Sequence, residues 1–186
     1  MRLINGPAQI FLSSIRMSGA FSKRRLHASA GFFYFIDDKF FIDFPDEKLM
    51  KNKETINGVR HGRPVFYSFK DEISDLFWVI PISSQTQKFK AIYQKKIKNG
   101  KPCDTIVFGQ VLGADKVFLI QNMHPISPTY ITDTYMDSRN APVRIDRRLE
   151  AELKTKSKKV LKLYRSGYSG LIFPDVLKIE QAILSS

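Results

Sequence analysis

Two adjacent hydroxyls and a lysine stand where a strongly apolar segment ends. Ser83 and Ser84 close the run 76–84, and Lys88 follows one helical turn later. Where a strand leads directly into a helix, the backbone amides of the first helical turn are exposed. These amides, the hydroxyls and an ammonium group together make a good anion site. Serine is also a common helix N-cap, so Ser84 could instead cap a helix that begins near Gln85. The pattern allows a phosphate site or a plain cap.

A second candidate is the basic loop "NGVRHGRP", which holds Arg60, His61 and Arg63 between glycines. Glycine lets a backbone approach a ligand closely, and a guanidinium binds a phosphate through two contacts. His61 can titrate near neutral pH. A simple turn with solvated arginines explains the same residues. His124, in "QNMHPIS", is more typical of a strand-end histidine with a satisfied hydrogen bond.

Several hydrolase signatures are missing from the chain. It has no acidic or Cys/His cluster at metal-ligand spacing, no G-x-S-x-G elbow and no Walker A loop. RNA cleavage needs none of these, because the 2′-hydroxyl of RNA is itself the nucleophile. Lysine, arginine and hydroxyl donors can stabilise the developing charge, each contributing about 3 kcal/mol, while His, Lys or Tyr can transfer protons. We expect no metal and no cofactor.

The charge balance favours a polyanionic partner. The formal net charge is +12, and because the first thirty residues hold five basic and no acidic residues, most of that excess belongs to the remainder. Excess positive charge raises the local concentration of polyanions, so we expect nucleic acid rather than an anionic membrane. No apolar run is long enough to span a bilayer. The single cysteine, Cys103, excludes an internal disulfide. A cytoplasmic protein is the simplest interpretation.

Two lysine-rich segments could contact an RNA backbone without reading its bases. Both are predicted helices, 85–98 and 146–166, and solvated helix faces are the alternative. Tyr164 and Tyr168 could stack on unpaired bases, although core packing suits Tyr164 better. The predicted RNA-binding residues are Arg60, Lys90, Lys95, Lys96, Lys98, Lys154, Lys158, Lys159, Lys162 and Arg165.

Five or six strands with long helices late in the chain predict a small α+β domain built on a curled antiparallel sheet. The segment 31–45 has two aromatic runs separated by Asp37-Asp38-Lys39, which predicts a hairpin or a strand and a loop. Asn57-Gly58 is a turn signal. Further strands are predicted around 65–67, 76–83, 104–113 and 116–123, and a last helix after Pro174.

Residues 1–30 differ in composition from the rest and form a predicted extension to a domain at 31–186. Their basic, serine-containing and acid-free composition is typical of a mitochondrial transit peptide. A start upstream of the true initiator explains it equally. An imported organelle protein is therefore a third interpretation, and it rests on this segment alone.

From about Phe32 to Leu184, the chain resembles the toxins of type III toxin–antitoxin systems, the ToxN/AbiQ-like endoribonucleases, and among them the CptN toxins. The stretches that carry the resemblance are "INGVRHGRPVFYSF", "FWVIPISSQTQKFK", "CDTIVFGQVLG", "VFLIQNMHPIS", "KKVLKLYR" and "LIFPDVLKIEQAIL". The first thirty residues have no counterpart in that family, which favours the upstream start.

The resemblance implies a partly open barrel of the Kid/MazF type with added helices. It implies metal-independent RNA cleavage that leaves a 2′,3′-cyclic phosphate, a role in phage defence, and an RNA antitoxin of pseudoknot repeats. The toxin would process that RNA and be inhibited by it in closed toxin–RNA rings. A non-catalytic basic RNA-binding module is the alternative.

The family's hydroxyl pair falls on Ser83 and Ser84, its lysine on Lys88, and a basic residue of the preceding strand entry on Arg63, with His61 beside it. The spacing in "SSQTQK" is longer than in ToxN, which leaves Lys90 open as the lysine. Tyr34 and Tyr67 are possible matches to aromatic hydroxyls of the ToxN site.

Overall fold

The computed structural model describes residues 28–56, 59–98, 100 and 102–186, with the backbone alone at 54–56 and 59–61. The predicted turn at Asn57-Gly58 lies outside the described residues. The described strands are β1 (Phe33–Ile36), β2 (Lys53–Ile56), β3 (Val59–Gly62), β4 (Val65–Lys70), β5 (Phe77–Ser83), β6 (Ile106–Val111), β7 (Ala114–Leu119), β8 (His124–Ile126) and β9 (Ile131–Thr134). The described helices are α1 (Asp38–Asp43), α2 (Thr86–Ile97), α3 (Arg147–Arg165) and α4 (Val176–Leu184).

Seven of the described strands form one antiparallel sheet in the order β6-β7-β5-β4-β1-β9, with β8 also paired to β5. The strands β2 and β3 form a separate hairpin. The central strand β5 has β4 along one side and two successive partners along the other, first β8 and then β7. Pro81 has no amide hydrogen to donate, and it lies in the interval between those two partners. The Ser83 end of β5 is paired with β7 alone on that side.

The sheet is covered on both faces, which explains why β5 is apolar from Phe77 to Ile82. Alternate side chains of β5 enter opposite clusters: Trp78 and Ile80 pack on the α3 side with Leu153, whereas Val79 packs on the α4 side with Ile179. A third cluster lies under α2 and holds the residues Phe89, Cys103, Ile106, Val117 and Leu119.

An ion-pair cluster joins the end of α3 to two other elements. Arg165 contacts Asp71 in the β4–β5 turn at 2.8 Å and Glu180 of α4 at 2.6 Å. Its guanidinium also lies 5.9 Å from the centre of the Trp78 ring. Although burial raises the pKa of Asp71, hydrogen bonds from Arg165 and Ser74 lower it below its usual range.

The predicted α+β class with an antiparallel sheet is confirmed, as are the strand β5 and the helices α2, α3 and α4. The prediction for the second aromatic run was wrong: residues 38–43 form α1, because Asp37 is an N-cap whose side chain accepts a hydrogen bond from the Lys39 amide at 2.9 Å. The predicted strands also omitted β2, β3, β8 and β9. Residues 28–30 pack on the domain, where the Ser29 amide donates to the Tyr34 hydroxyl at 2.8 Å.

Candidate active site

A cavity of about 410 Å³ opens at the end of β5. It lies between the end of the β2–β3 hairpin, the β6–β7 turn, and the residues next to β1 and β9. The lining residues are Phe35, Gly62, Pro64, Ile82, Ser83, Ser84, Val111, Leu112, Ala114, Lys116 and Tyr135. This set of described residues holds one charged side chain, a lysine, and no carboxylate.

The two serines of the predicted site differ in environment. Ser83 is buried, and its hydroxyl oxygen accepts a hydrogen bond from the Gln85 amide at 3.2 Å. Ser84 is exposed at the cavity wall, and its carbonyl oxygen accepts from the Thr86 amide at 2.8 Å. The residue at the N-cap position of α2 is Gln85, without a side-chain cap. The helix is therefore not capped by the Ser84 hydroxyl, which faces the cavity.

Lys116 is the charged residue of this cavity, and sequence reasoning missed it. Its neighbour Val117 pairs directly with Ser83 across β5 and β7. Because side chains alternate along a strand, Lys116 lies on the face opposite the Ser83 side chain, and it lines the same cavity as Ser84. Lys116 is half-buried. The available signal was the charged segment "ADK" just after a Gly turn. Its relevance depends on the pairing of β5 with β7, which joins positions far apart in sequence.

Most of the remaining cavity lining is apolar. Phe35 and Tyr135 meet edge to face, with ring centres 5.8 Å apart and planes at 89°. Leu112, in the turn between β6 and β7, also lines the cavity. Gly62 lies so close that an added Cβ would be 3.2 Å from the Phe35 ring. The cavity lining thus combines two serines and a lysine with aromatic and aliphatic side chains.

Of the other predicted catalytic residues, Lys88 and Arg63 are not among the described residues that line this cavity. Lys88 is exposed on the first turn of α2, with its ammonium 5.7 Å from the centre of the Phe89 ring. Arg63 donates to the Lys51 carbonyl at 3.0 Å. Arg60 and His61 belong to β3, whose last residue, Gly62, lines the cavity. The side chains of Arg60 and His61 lie outside the described atoms.

Tyr34 and Tyr67 are buried in the cluster on the α4 side. Burial raises the pKa of both hydroxyls, that of Tyr67 to about 12. Neither is among the described residues that line the cavity. His124 is fully buried, as expected of a structural histidine. Its Nδ1 lies 3.3 Å from the Asn122 carbonyl oxygen, and burial lowers its pKa to about 4.

The predicted RNA-binding residues of α2 fall into two groups. Lys90, Lys95 and Lys98 are exposed. Lys96 instead points inward and donates to the Thr105 hydroxyl at 3.0 Å and to the Gln121 side-chain oxygen at 3.2 Å. The ammonium of Lys96 is thus committed to the fold.

The basic residues of α3 are partly balanced by acids from other elements. Lys159 contacts Asp104 at 2.6 Å, and Lys158 lies 3.6 Å from Glu72. Arg165 is held between two carboxylates. Lys154 and Lys162 are exposed. Tyr164 packs against the core and Tyr168 is exposed.

A larger hollow of about 560 Å³ lies beside α1. Its lining combines apolar side chains with the carboxylates of Asp38, Asp46 and Glu47 and the ammonium groups of Lys51 and Lys53. Acidic groups outnumber basic groups among these described residues, which disfavours a phosphate group, so size does not make this hollow the better candidate. Among the described residues, no helix has the length and apolar character needed to cross a membrane. In the same ranges, no three side chains of His, Cys, Asp or Glu gather as metal ligands would.

No protein-family model matches the sequence, and no curated protein matches it. Solved structures do match the fold. AbiQ, a lactococcal anti-phage endoribonuclease of the type III toxin–antitoxin system, superposes with a TM-score of 0.60 over 84% of this chain and 98% of AbiQ. The sequence identity is 15%. At that identity the likeness establishes a shared α+β fold.

Proposed function

We propose that this protein is an endoribonuclease toxin of a type III toxin–antitoxin system, of the CptN branch, acting in the cytoplasm. The observation that carries the proposal is the cavity: two serines at the end of the central strand and a lysine line it, within a fold shared with an anti-phage endoribonuclease. A basic chain of formal charge +12 suits a polyanionic substrate.

The chemistry proposed is attack of an RNA 2′-hydroxyl on the adjacent phosphorus, which forms a 2′,3′-cyclic phosphate and expels the 5′-oxygen of the next nucleotide. Negative charge grows on the non-bridging oxygens as the bond forms. Ser84 donates its hydroxyl to one of these oxygens, and the Lys116 ammonium balances the charge. Donors preorganised at the position where charge develops lower the barrier most.

Ser83 has a different part in this proposal. Its oxygen already accepts the Gln85 amide hydrogen, so the direction of its own O–H is constrained, and it helps to orient the phosphate. His61, whose loop reaches the cavity through Gly62, remains the candidate for proton transfer. In this proposal Lys88 and Arg63, which are not among the described lining residues, contact the RNA strand on either side of the cut.

The partner proposed is an RNA antitoxin of pseudoknot repeats, which the toxin processes and which inhibits it in closed toxin–RNA rings. The exposed lysines of α2 and α3 supply backbone contacts for that RNA. Support comes from their exposure and from the lack of acidic partners at Lys90, Lys95 and Lys98 among the ion pairs of the described residues.

The test is incubation of RNA-free purified protein with a long RNA in EDTA, followed by identification of the new ends. We expect 2′,3′-cyclic phosphates. Ser84→Ala and Lys116→Met should each slow cleavage about a hundredfold, as removal of one oxyanion donor does. Lys178→Met is the matched control, because Lys178 is an exposed lysine of α4 away from the cavity.

Intact RNA that is bound in a salt-sensitive way would favour a non-catalytic RNA-binding module. Cleavage that survives Lys116→Met and is lost in Lys88→Met would keep the function and move the essential ammonium to α2. Ends other than cyclic phosphate would refute the proposed chemistry.

A further inference from the structure

Leu112 has a backbone conformation that its side chain disfavours. In the two-residue turn between β6 and β7, Leu112 has φ 52° and Gly113 has φ 75°. Turns of this geometry strongly prefer Asn, Asp or Gly at both positions. Leucine at the first position is therefore strained, and strain of this kind concentrates at functional sites.

The strained residue presents its side chain to the cavity. Leu112 is 56% exposed, which is unusual for a leucine, and it lines the cavity mouth together with Tyr135 and Phe35. Both rings are only partly buried. The perpendicular packing of the two rings leaves aromatic surface on this wall instead of a closed stack.

The cavity thus combines groups that can bind an anion with aromatic side chains, within one volume of about 410 Å³. A nucleotide has the same division, since its phosphate is anionic and its base is a flat, weakly polar ring. Bases stack on aromatic side chains with little regard to sequence. A base within a duplex is already stacked on both faces, so only an unpaired base can enter such a site.

We infer that Leu112 and Tyr135 form a subsite for the unpaired base of a nucleotide that adjoins the scissile phosphate. This inference rests on the proposed function, and it adds that the substrate is single-stranded at the cut. Leu112 closes the mouth over the base, and Tyr135 offers its ring. On this inference the Leu112 side chain covers the base, which glycine at this position could not do.

The test uses 2′-O-methyl RNA octamers, which lack the attacking hydroxyl and so report binding without cleavage. One base at a time is replaced by an abasic spacer, and affinity is measured by fluorescence anisotropy. For the native protein we expect one position where loss of the base weakens binding about tenfold, equivalent to about 1.4 kcal/mol. In Leu112→Gly and in Tyr135→Leu, that factor should fall to about threefold or less.

Ile73→Ala is the control, because Ile73 is an exposed apolar residue of a different turn, 82% accessible and remote from this cavity. It should retain the tenfold factor. Leu112→Gly relieves the backbone strain of the turn, so the melting temperature of this variant should not fall below that of the native protein. An unchanged melting temperature shows that weaker binding does not come from unfolding.

The inference fails if the native protein shows no base-sensitive position, or if both variants keep the full factor. The cleavage assay is read separately on unmodified RNA. A protein that cleaves RNA yet shows no base-sensitive position overturns the subsite and leaves the function. A protein with a base-sensitive position lost in both variants, but with no cleavage, supports the subsite and overturns the function.

Discussion

His124 makes the stability of this fold depend on pH. It begins β8, is buried, and stacks on Phe40 with ring centres 5.3 Å apart. Its Nε2 atom has no hydrogen-bond partner among the described residues. Burial disfavours the charged imidazolium, although the Asn122 carbonyl partly offsets this, and the pKa of His124 falls to about 4.

The direction of the effect follows from where the proton binds. In the unfolded chain His124 has its ordinary pKa of about 6.5 and takes up a proton as the pH falls below that value. The folded protein keeps the ring neutral until about pH 4. Protons therefore favour the unfolded state between these values. At pH 5 the loss of unfolding free energy from this residue is about 2 kcal/mol, and it approaches about 3 kcal/mol near pH 4.

The assay is urea unfolding of the native protein and of His124→Gln, each at pH 7 and pH 5. Glutamine is polar and does not titrate. Between the two pH values the native protein should lose about 2 kcal/mol more than the variant. Carboxylates such as Asp71 titrate in both proteins, so they cancel in the comparison. Equal losses in the two proteins would refute the buried neutral imidazole.

Three further outcomes follow from the contacts described. Arg165→Leu should destabilise the fold by about 3 kcal/mol in urea unfolding, because Asp71 and Glu180 would stay partly buried without their cation; a change under 1 kcal/mol would contradict the cluster. Gly109→Ala should cost about 1–2 kcal/mol, since the new Cβ would lie 2.3 Å from the end of the Leu149 side chain; an unchanged midpoint would mean that α3 does not rest on β6 there. Replacing Lys90, Lys95 and Lys98 together by glutamine should reduce the slope of log affinity for RNA against log salt by about two. An unaltered slope would count against an RNA contact at these lysines.

The sequence was sufficient for elements whose signals are local. Helix α3 has an apolar stripe and begins at Asp146, whose side chain accepts from the Arg148 amide at 2.8 Å. Strand β5 is apolar from Phe77 to Ile82 because both faces of the sheet are covered. The Asp37-Asp38-Lys39 break also held a local signal, a helix N-cap, but the two aromatic runs around it suit strand and helix equally.

The site was only half accessible from the sequence. Ser83 and Ser84 could be proposed because they end a strong strand. Lys116 could not, since its place depends on the register between β5 and β7, which no local pattern specifies. The sequence also could not show the role of Arg165. Within α3 it looks like one more solvated basic residue, whereas its two carboxylate partners come from distant elements.

The segments that line the cavity are synthesised one after another, and their order has a consequence for the cell that makes this protein. Phe35 comes from β1, the serines from β5, Leu112 from the β6–β7 turn and Tyr135 from just after β9. Because β1 lies between β4 and β9 in the sheet, an interrupted or half-synthesised polypeptide has hydroxyls but no enclosed cavity. Domains fold as units during synthesis. On the function proposed, a fragment that ends before Tyr135 lacks part of the cavity wall and should not cleave RNA.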